Sequence, residues 1–150
     1  MIYLISLVVF LLDFGTKHLA LTYLAWHQPV AVMPGFNWYL TQNRGISFSL
    51  FTTASHWGPY ILSAVALLIC AGIVVWLQRE KNRLARVGLA LVLGGAIGNI
   101  IDRIRFGYVV DFIDWHVGSY HWPAFNIADS AVCLGVACLV IQSIFWEKKK

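Results

Sequence analysis

The chain has 150 residues, 59% hydrophobic and only 12% charged, where a soluble domain carries about 25% charged residues. A mean hydropathy of +0.71 calls for a lipid solvent, and four spans of about 20 residues each would leave no room for a separate soluble domain. The net charge of +4 gathers in two clusters beside apolar runs, which marks membrane topology and excludes a nucleic-acid-binding surface.

The first apolar run covers about residues 2–26. Its start, MIYLISLVVFLLDFG, lacks a basic leader and a small-x-small cleavage site, so it is expected to stay as a span. Asp13 and Lys17 lie within it, four apart on one helix face, with the acid N-terminal to the base. Charges inside a span are costly and usually face the bundle interior in pairs. Two readings stand for them, a structural ion pair that fixes packing and a direct contact to substrate.

The loop 27–56 follows. Ile46-Ser47-Phe48-Ser49-Leu50 alternates apolar and polar, and Asn43-Arg44-Gly45 before it is a turn signal, which predicts a hairpin over 38–50. The second span covers about 57–77. A short connection, 78–83, leads to the third span, about 84–104, and Arg79, Lys81, Arg83 and Arg86 crowd it. Gly94 and Gly98 make a GxxxG pair that permits close helix approach, with Gly95 beside them. Asn99 and Arg103 then share a face with Asp102 as neighbour. That polar face is either a plain interfacial end or the wall of a wet cavity.

The loop 105–126 holds the β-prone Tyr108-Val109-Val110, a turn signal at Gly118-Ser119, and two acids, Asp111 and Asp114. Trp38, Tyr39, Trp57, Trp115, Tyr120 and Trp122 sit near the ends of spans as an interfacial aromatic belt. The fourth span covers about 127–146, with Asn126 as its N-cap and Asp129 in its first turn. Asp129 is either a capping acid that complements the helix dipole or one half of a pair with Asp111. Two facing carboxylates would share a proton and titrate together. One could then activate water while the other hydrogen-bonds or protonates a scissile carbonyl, and the helix N-terminus favours Asp129 as the base.

The basic connection 78–83 and the Lys148–Lys150 tail both belong in the cytoplasm, which places both termini there and both longer loops outside. The chain therefore reads as one domain, 1–150, an all-α polytopic membrane protein with four transmembrane helices and a small β-rich element on the outer, periplasmic side. Cys70, Cys133 and Cys138 are odd in number, form no CxxC, and read as small buried residues. No HExxH is present, and His116 and His121 read as belt residues, so no metal or other cofactor is expected. A transporter would call for broken spans and internal repeats, which the sequence does not display.

DFGTK (13–17), NRGISFS (43–49), GGAIGNIIDRIRFGYVVDFID (94–114) and FNIADS (126–130) resemble the lipoprotein signal peptidases, the signal peptidase II family of bacterial intramembrane aspartyl peptidases. The resemblance covers all four spans and both outer loops. Phe14 departs from the Gln common there, while Asp13 and Lys17 are kept. The resemblance implies cleavage of diacylglyceryl-modified prolipoproteins immediately before the lipidated cysteine, at the outer leaflet of the cytoplasmic (inner) membrane, with sensitivity to the cyclic peptide globomycin. It implies Asp111 and Asp129 as the catalytic pair, with Asn43, Asn99, Arg103, Asn126, Asp13 and Lys17 at substrate-binding positions. Asp102 and Asp114 match the motif in supporting roles. The expected partners are prolipoprotein substrates and membrane lipids, and a monomer suffices.

Overall fold

A computed structural model describes residues 1–45 and 57–147. Four helices are long and apolar enough to cross a membrane: α1 (Ile2–Tyr23), α2 (Gly58–Arg79), α3 (Arg83–Phe106) and α4 (Ile127–Glu147). In lipid a helix satisfies every backbone polar group within itself, which is why these apolar runs fold as they do. The ends follow local chemistry. Pro59 sits in the first turn of α2, where its missing N–H costs nothing. Asn82 caps α3, accepting from the N–H groups of Leu84 at 2.8 Å and Ala85 at 3.1 Å. Gly107 closes α3 in the left-handed conformation at φ 76°. The first span ends earlier than the expected residue 26, because Leu24 is extended and Trp26 bridges to Leu40.

Helix α3 is the hub, packed against the other three. Small residues allow this. Gly94 faces α1, where a Cβ would lie 2.6 Å from the Ser6 carbonyl, and Ser6 Oγ donates to the Ala90 carbonyl at 2.8 Å. Gly88 meets Gly135 of α4 backbone to backbone; a Cβ at 88 would lie 2.7 Å from the Gly135 carbonyl. We expect Gly88→Ala to lower the melting temperature in detergent, as overpacking costs ~1–3 kcal/mol. Gly72→Ala on α2, where a Cβ would meet nothing, is the control. Equal melting temperatures for the two variants would refute that close approach. The apolar core joins α2 and α3 through Cys70, Ile73, Leu77, Leu89, Leu93 and Ile100. The outer faces carry exposed leucines such as Leu4, Leu7, Leu11 and Leu68, as helices solvated by lipid do. Of the cysteines, Cys70 is buried but Cys133 is exposed, because it lies on the side of α4 turned away from the bundle.

The segments between α1 and α2, and between α3 and α4, build one antiparallel sheet at one end of the bundle. Its order is β1 (Val30–Met33), β2 (Phe36–Asn43), β3 (Val109–Val117) and β4 (Tyr120–His121). The first hairpin is one that the signals read from the sequence do not announce. Its turn is Pro34-Gly35, with Gly35 at φ 86°, and β2 is its second arm rather than its first. The expected arm 46–50 lies outside the described residues. The turn at Gly118-Ser119 does join β3 to β4. Strand β2 pairs with β3 so that Thr41 faces Asp111 and Asn37 faces Asp114, which anchors both acids in the sheet. The belt residues Trp57, Trp115, Tyr120 and Trp122 are all well exposed.

Candidate active site

Three ionisable side chains meet where α1, α3 and α4 cross. Lys17 Nζ lies 2.7 Å from Asp13 Oδ2 and 2.9 Å from Asp102 Oδ2, and donates to Asn99 Oδ1 at 3.0 Å. Asp13 and Lys17 are 1% and 3% exposed, so these charges have no solvent and depend on one another. Asp13 Oδ1 accepts from the Ala128 N–H at 2.8 Å, in the first turn of α4. Gly98 lies so close to Asp13 Oδ2 that any side chain there would displace the carboxylate. Asp102 Oδ2 accepts from the Val110 N–H at 3.1 Å, tying the end of α3 to β3.

Asn126 is fully buried and organises the next layer. Its Oδ1 accepts from the Asp129 N–H at 2.8 Å, while Asp129 Oδ2 accepts from the Asn126 N–H at 3.3 Å, a reciprocal cap in which Asp replaces the usual Glu. Asn126 Nδ2 donates to Asp111 Oδ1 at 2.7 Å, with Asn99 Oδ1 at 3.2 Å and the Val110 carbonyl at 3.3 Å. Asp129 is thus a capping acid, and its charge also acts on Asp111. Asn99 Nδ2 donates to Asp129 Oδ1 at 2.8 Å.

Asp111, on β3, is 1% exposed. Burial pushes its pKa up from the ordinary 3.8 to about 7, and the nearby Asp129 charge adds to the rise; hydrogen bonds from Asn43 and Asn126 and the Lys17 charge hold it back. Asn43 Oδ1 accepts from the Gly45 N–H at 2.9 Å, which turns its amide nitrogen toward Asp111. Arg103 Nη1 donates to the Asn99 carbonyl at 3.3 Å, and the guanidinium charge acts on Asp129, Asp111 and Asp102. Its Nε is buried without a protein partner.

Every expected site residue, Asp13, Lys17, Asn43, Asn99, Arg103, Asp111, Asn126 and Asp129, lies in this one network. Asp114 does not. It accepts from Asn37 Nδ2 at 2.8 Å and pairs with His121 Nδ1 at 2.8 Å. Burial would raise its pKa, but those two partners outweigh it and hold the carboxyl below its ordinary value. His116 stacks on His121 with ring centroids 4.8 Å apart. Among the described residues no group of three His, Cys, Asp or Glu side chains could hold a metal ion. Sequence reasoning missed the backbone N–H groups of Val110 and Ala128, which no side-chain pattern announces, and Asn37, whose partner is distant in sequence.

A groove of about 810 Å³ runs along the far part of β3. On β3 it is lined by Ile113, Trp115, His116 and Val117. These join Phe36, Trp122 and Phe125 in lining the groove, which reaches Ser130 beside Asp129. A buried carboxyl with its pKa pushed up to about 7, and a half-buried carboxylate near it, suit acid–base chemistry.

A family model described as signal peptidase (SPase) II matches residues 5–145. A lipoprotein signal peptidase of Acinetobacter baumannii is 44% identical over 148 residues, 97% of this chain and 84% of that protein. One from Xylella fastidiosa is 45% identical over the same share of this chain and 89% of its own length. A solved structure described as a bacterial membrane enzyme superposes with a TM-score of 0.80 at 30% identity, over 92% of this chain and 88% of that one.

Proposed function

The chain belongs to the signal peptidase II family, and from that premise we propose that it is an aspartyl endopeptidase that removes signal peptides from diacylglyceryl-modified prolipoproteins. The observation that carries the reading is the joint hold on Asp111 and Asp129: Asn126 donates to Asp111 through its side chain and to Asp129 through its backbone. The pair then holds one proton, and its placement follows the donors. Asp129 accepts from Asn99 and from the Asn126 N–H, which hold both its oxygens in place; Asp111 is buried and favours the acid.

In the proposed reaction Asp129 takes a proton from water as the water oxygen attacks the scissile carbonyl carbon. Asp111 gives its proton to the carbonyl oxygen, which yields a neutral tetrahedral diol. Collapse breaks the C–N bond: the leaving amine takes the proton from Asp129, and a diol hydroxyl returns its proton to Asp111. Products are a free carboxyl on the signal peptide and a free amine on the lipidated cysteine. Arg103 Nε is the spare donor for a substrate carbonyl. The apolar groove beside Ser130 suits the acyl-bearing side of the cut. By the Lys/Arg asymmetry of its loops, both termini would face the cytoplasm and the site would lie at the outer leaflet.

The test is direct. Protein purified in detergent is expected to cut a diacylglyceryl-modified prolipoprotein immediately before the lipidated cysteine. Chelator should leave the rate unchanged and globomycin should block it. No cleavage of the lipidated substrate, or loss of activity in EDTA, would end the reading.

A further inference from the structure

Lys17 has three donors and three acceptors within reach. They are Asp13 Oδ2 at 2.7 Å, Asp102 Oδ2 at 2.9 Å and Asn99 Oδ1 at 3.0 Å. The contact with Asn99 is a hydrogen bond, and those with the two carboxylates are ion pairs. Two carboxylates already balance its charge, so the amide contact adds nothing as charge pairing. It does something else.

An amide has two unlike ends, an oxygen that accepts and a nitrogen that donates. A lysine ammonium can only donate, so it accepts only one orientation of the Asn99 side chain. Asn126 Nδ2 points at the same oxygen from 3.2 Å and makes the same selection. The nitrogen end is left facing Asp129 Oδ1 at 2.8 Å. With the amide reversed, its oxygen would face a carboxylate oxygen and its NH2 would face the ammonium, both repulsive.

We propose that Lys17 is a positioning residue that holds Asn99 the one way round in which it donates to Asp129. This rests on the reading that Asp129 acts on water. The charged groups around the relay are Asp13 on α1 and Asp102 on α3 beside Lys17, with Arg103 on α3 and Asp111 on β3 beside Asp129. Asp13 and Asp102 each have a second anchor, the N–H groups of Ala128 and Val110, so they keep their places independently of Asn99. The first span thus reaches the candidate catalytic pair through one amide.

A double-mutant cycle of Lys17→Met and Asn99→Ala tests it on cleavage of the lipidated prolipoprotein. Lys17→Met alone is expected to lower kcat about tenfold to a hundredfold, the effect of a misplaced catalytic group, with KM within about twofold. In the Asn99→Ala background the same substitution should cost less than about threefold more, because the relay is already cut. Multiplying effects, or a raised KM at unchanged kcat, would overturn the proposal. Since Lys17→Met leaves two buried carboxylates without their cation, the cycle is repeated in Asp13→Asn; failure to fold there too would make the cluster purely structural and overturn it. A second readout needs no turnover. The infrared carboxylate bands of Asp129, identified by difference against Asp129→Asn, are expected to shift in Lys17→Met. Unshifted bands would overturn the relay, whereas a shift in a protein that cuts nothing would leave the relay standing and remove the peptidase reading.

Discussion

Asp111→Asn and Asp129→Asn are each expected to lower kcat on the lipidated substrate by on the order of 10³-fold or more, with KM within about threefold. Asn has the shape of Asp, so the packing around Asn126 and the anchor of β3 on β2 survive. The Asn126 Nδ2 donor, 2.7 Å from Asp111 Oδ1, can still meet an amide oxygen at that position. What is lost is the proton. An amide at 129 cannot take one from water, and an amide at 111 has none to give the carbonyl oxygen at neutral pH. Groups that act as one unit are not additive, so the double variant should be hardly slower than either single one. Asp114→Asn is the contrast. Its carboxylate pairs with Asn37 and His121 away from the network, and its loss should change the rate by less than about tenfold, through the sheet alone. Full activity in either dyad variant would remove the aspartyl mechanism, while a dead Asp114→Asn would mean that the site extends further along β3 than the geometry places it.

The spans were legible because lipid imposes one strong rule, and length with hydropathy is enough to apply it. The polar faces were legible too. The i, i+4 spacing of Asp13 and Lys17 put both on one side, and they do form an ion pair. Which helix that side meets was not legible, since periodicity names a face and not its partner. Lys17 reaches Asn99 across 82 positions and Asp13 reaches Ala128 across 115. The β1–β2 hairpin was missed because alternation in 46–50 is a louder signal than Val-Ala-Val-Met, whose side chains are all exposed in β1. The turn chemistry of Pro34-Gly35 was the quieter and better clue. Asp129 was read as a cap or as a partner of Asp111; the cap is in place, with one oxygen on the Asn126 N–H and the other on Asn99.

The acid that would do the chemistry should also weaken the protein, and the sign is fixed by its surroundings. Asp111 titrates at about 7 in the folded chain against an ordinary 3.8. Below the lower value the carboxyl is neutral in both folded and unfolded states and makes no difference. Between the two, the unfolded chain ionises while the folded one stays protonated, so stability falls as pH rises; above about 7 the full loss is in place. Asn at this position does not titrate. Asp111→Asn should therefore melt close to wild type at pH 4 and on the order of 10 °C higher at pH 8, since each of about three pKa units is worth ~1.4 kcal/mol. Asp114 runs the other way. Its folded value is lowered, so its contribution is present above the ordinary carboxylate range and lost as pH falls, and Asp114→Asn should cost stability at neutral pH. Thermal melts of the three proteins from pH 4 to 8 check both signs. A difference between Asp111→Asn and wild type that stays flat across that range would mean that Asp111 is not held protonated by its burial. The pair would then need another source for the proton that the carbonyl oxygen receives.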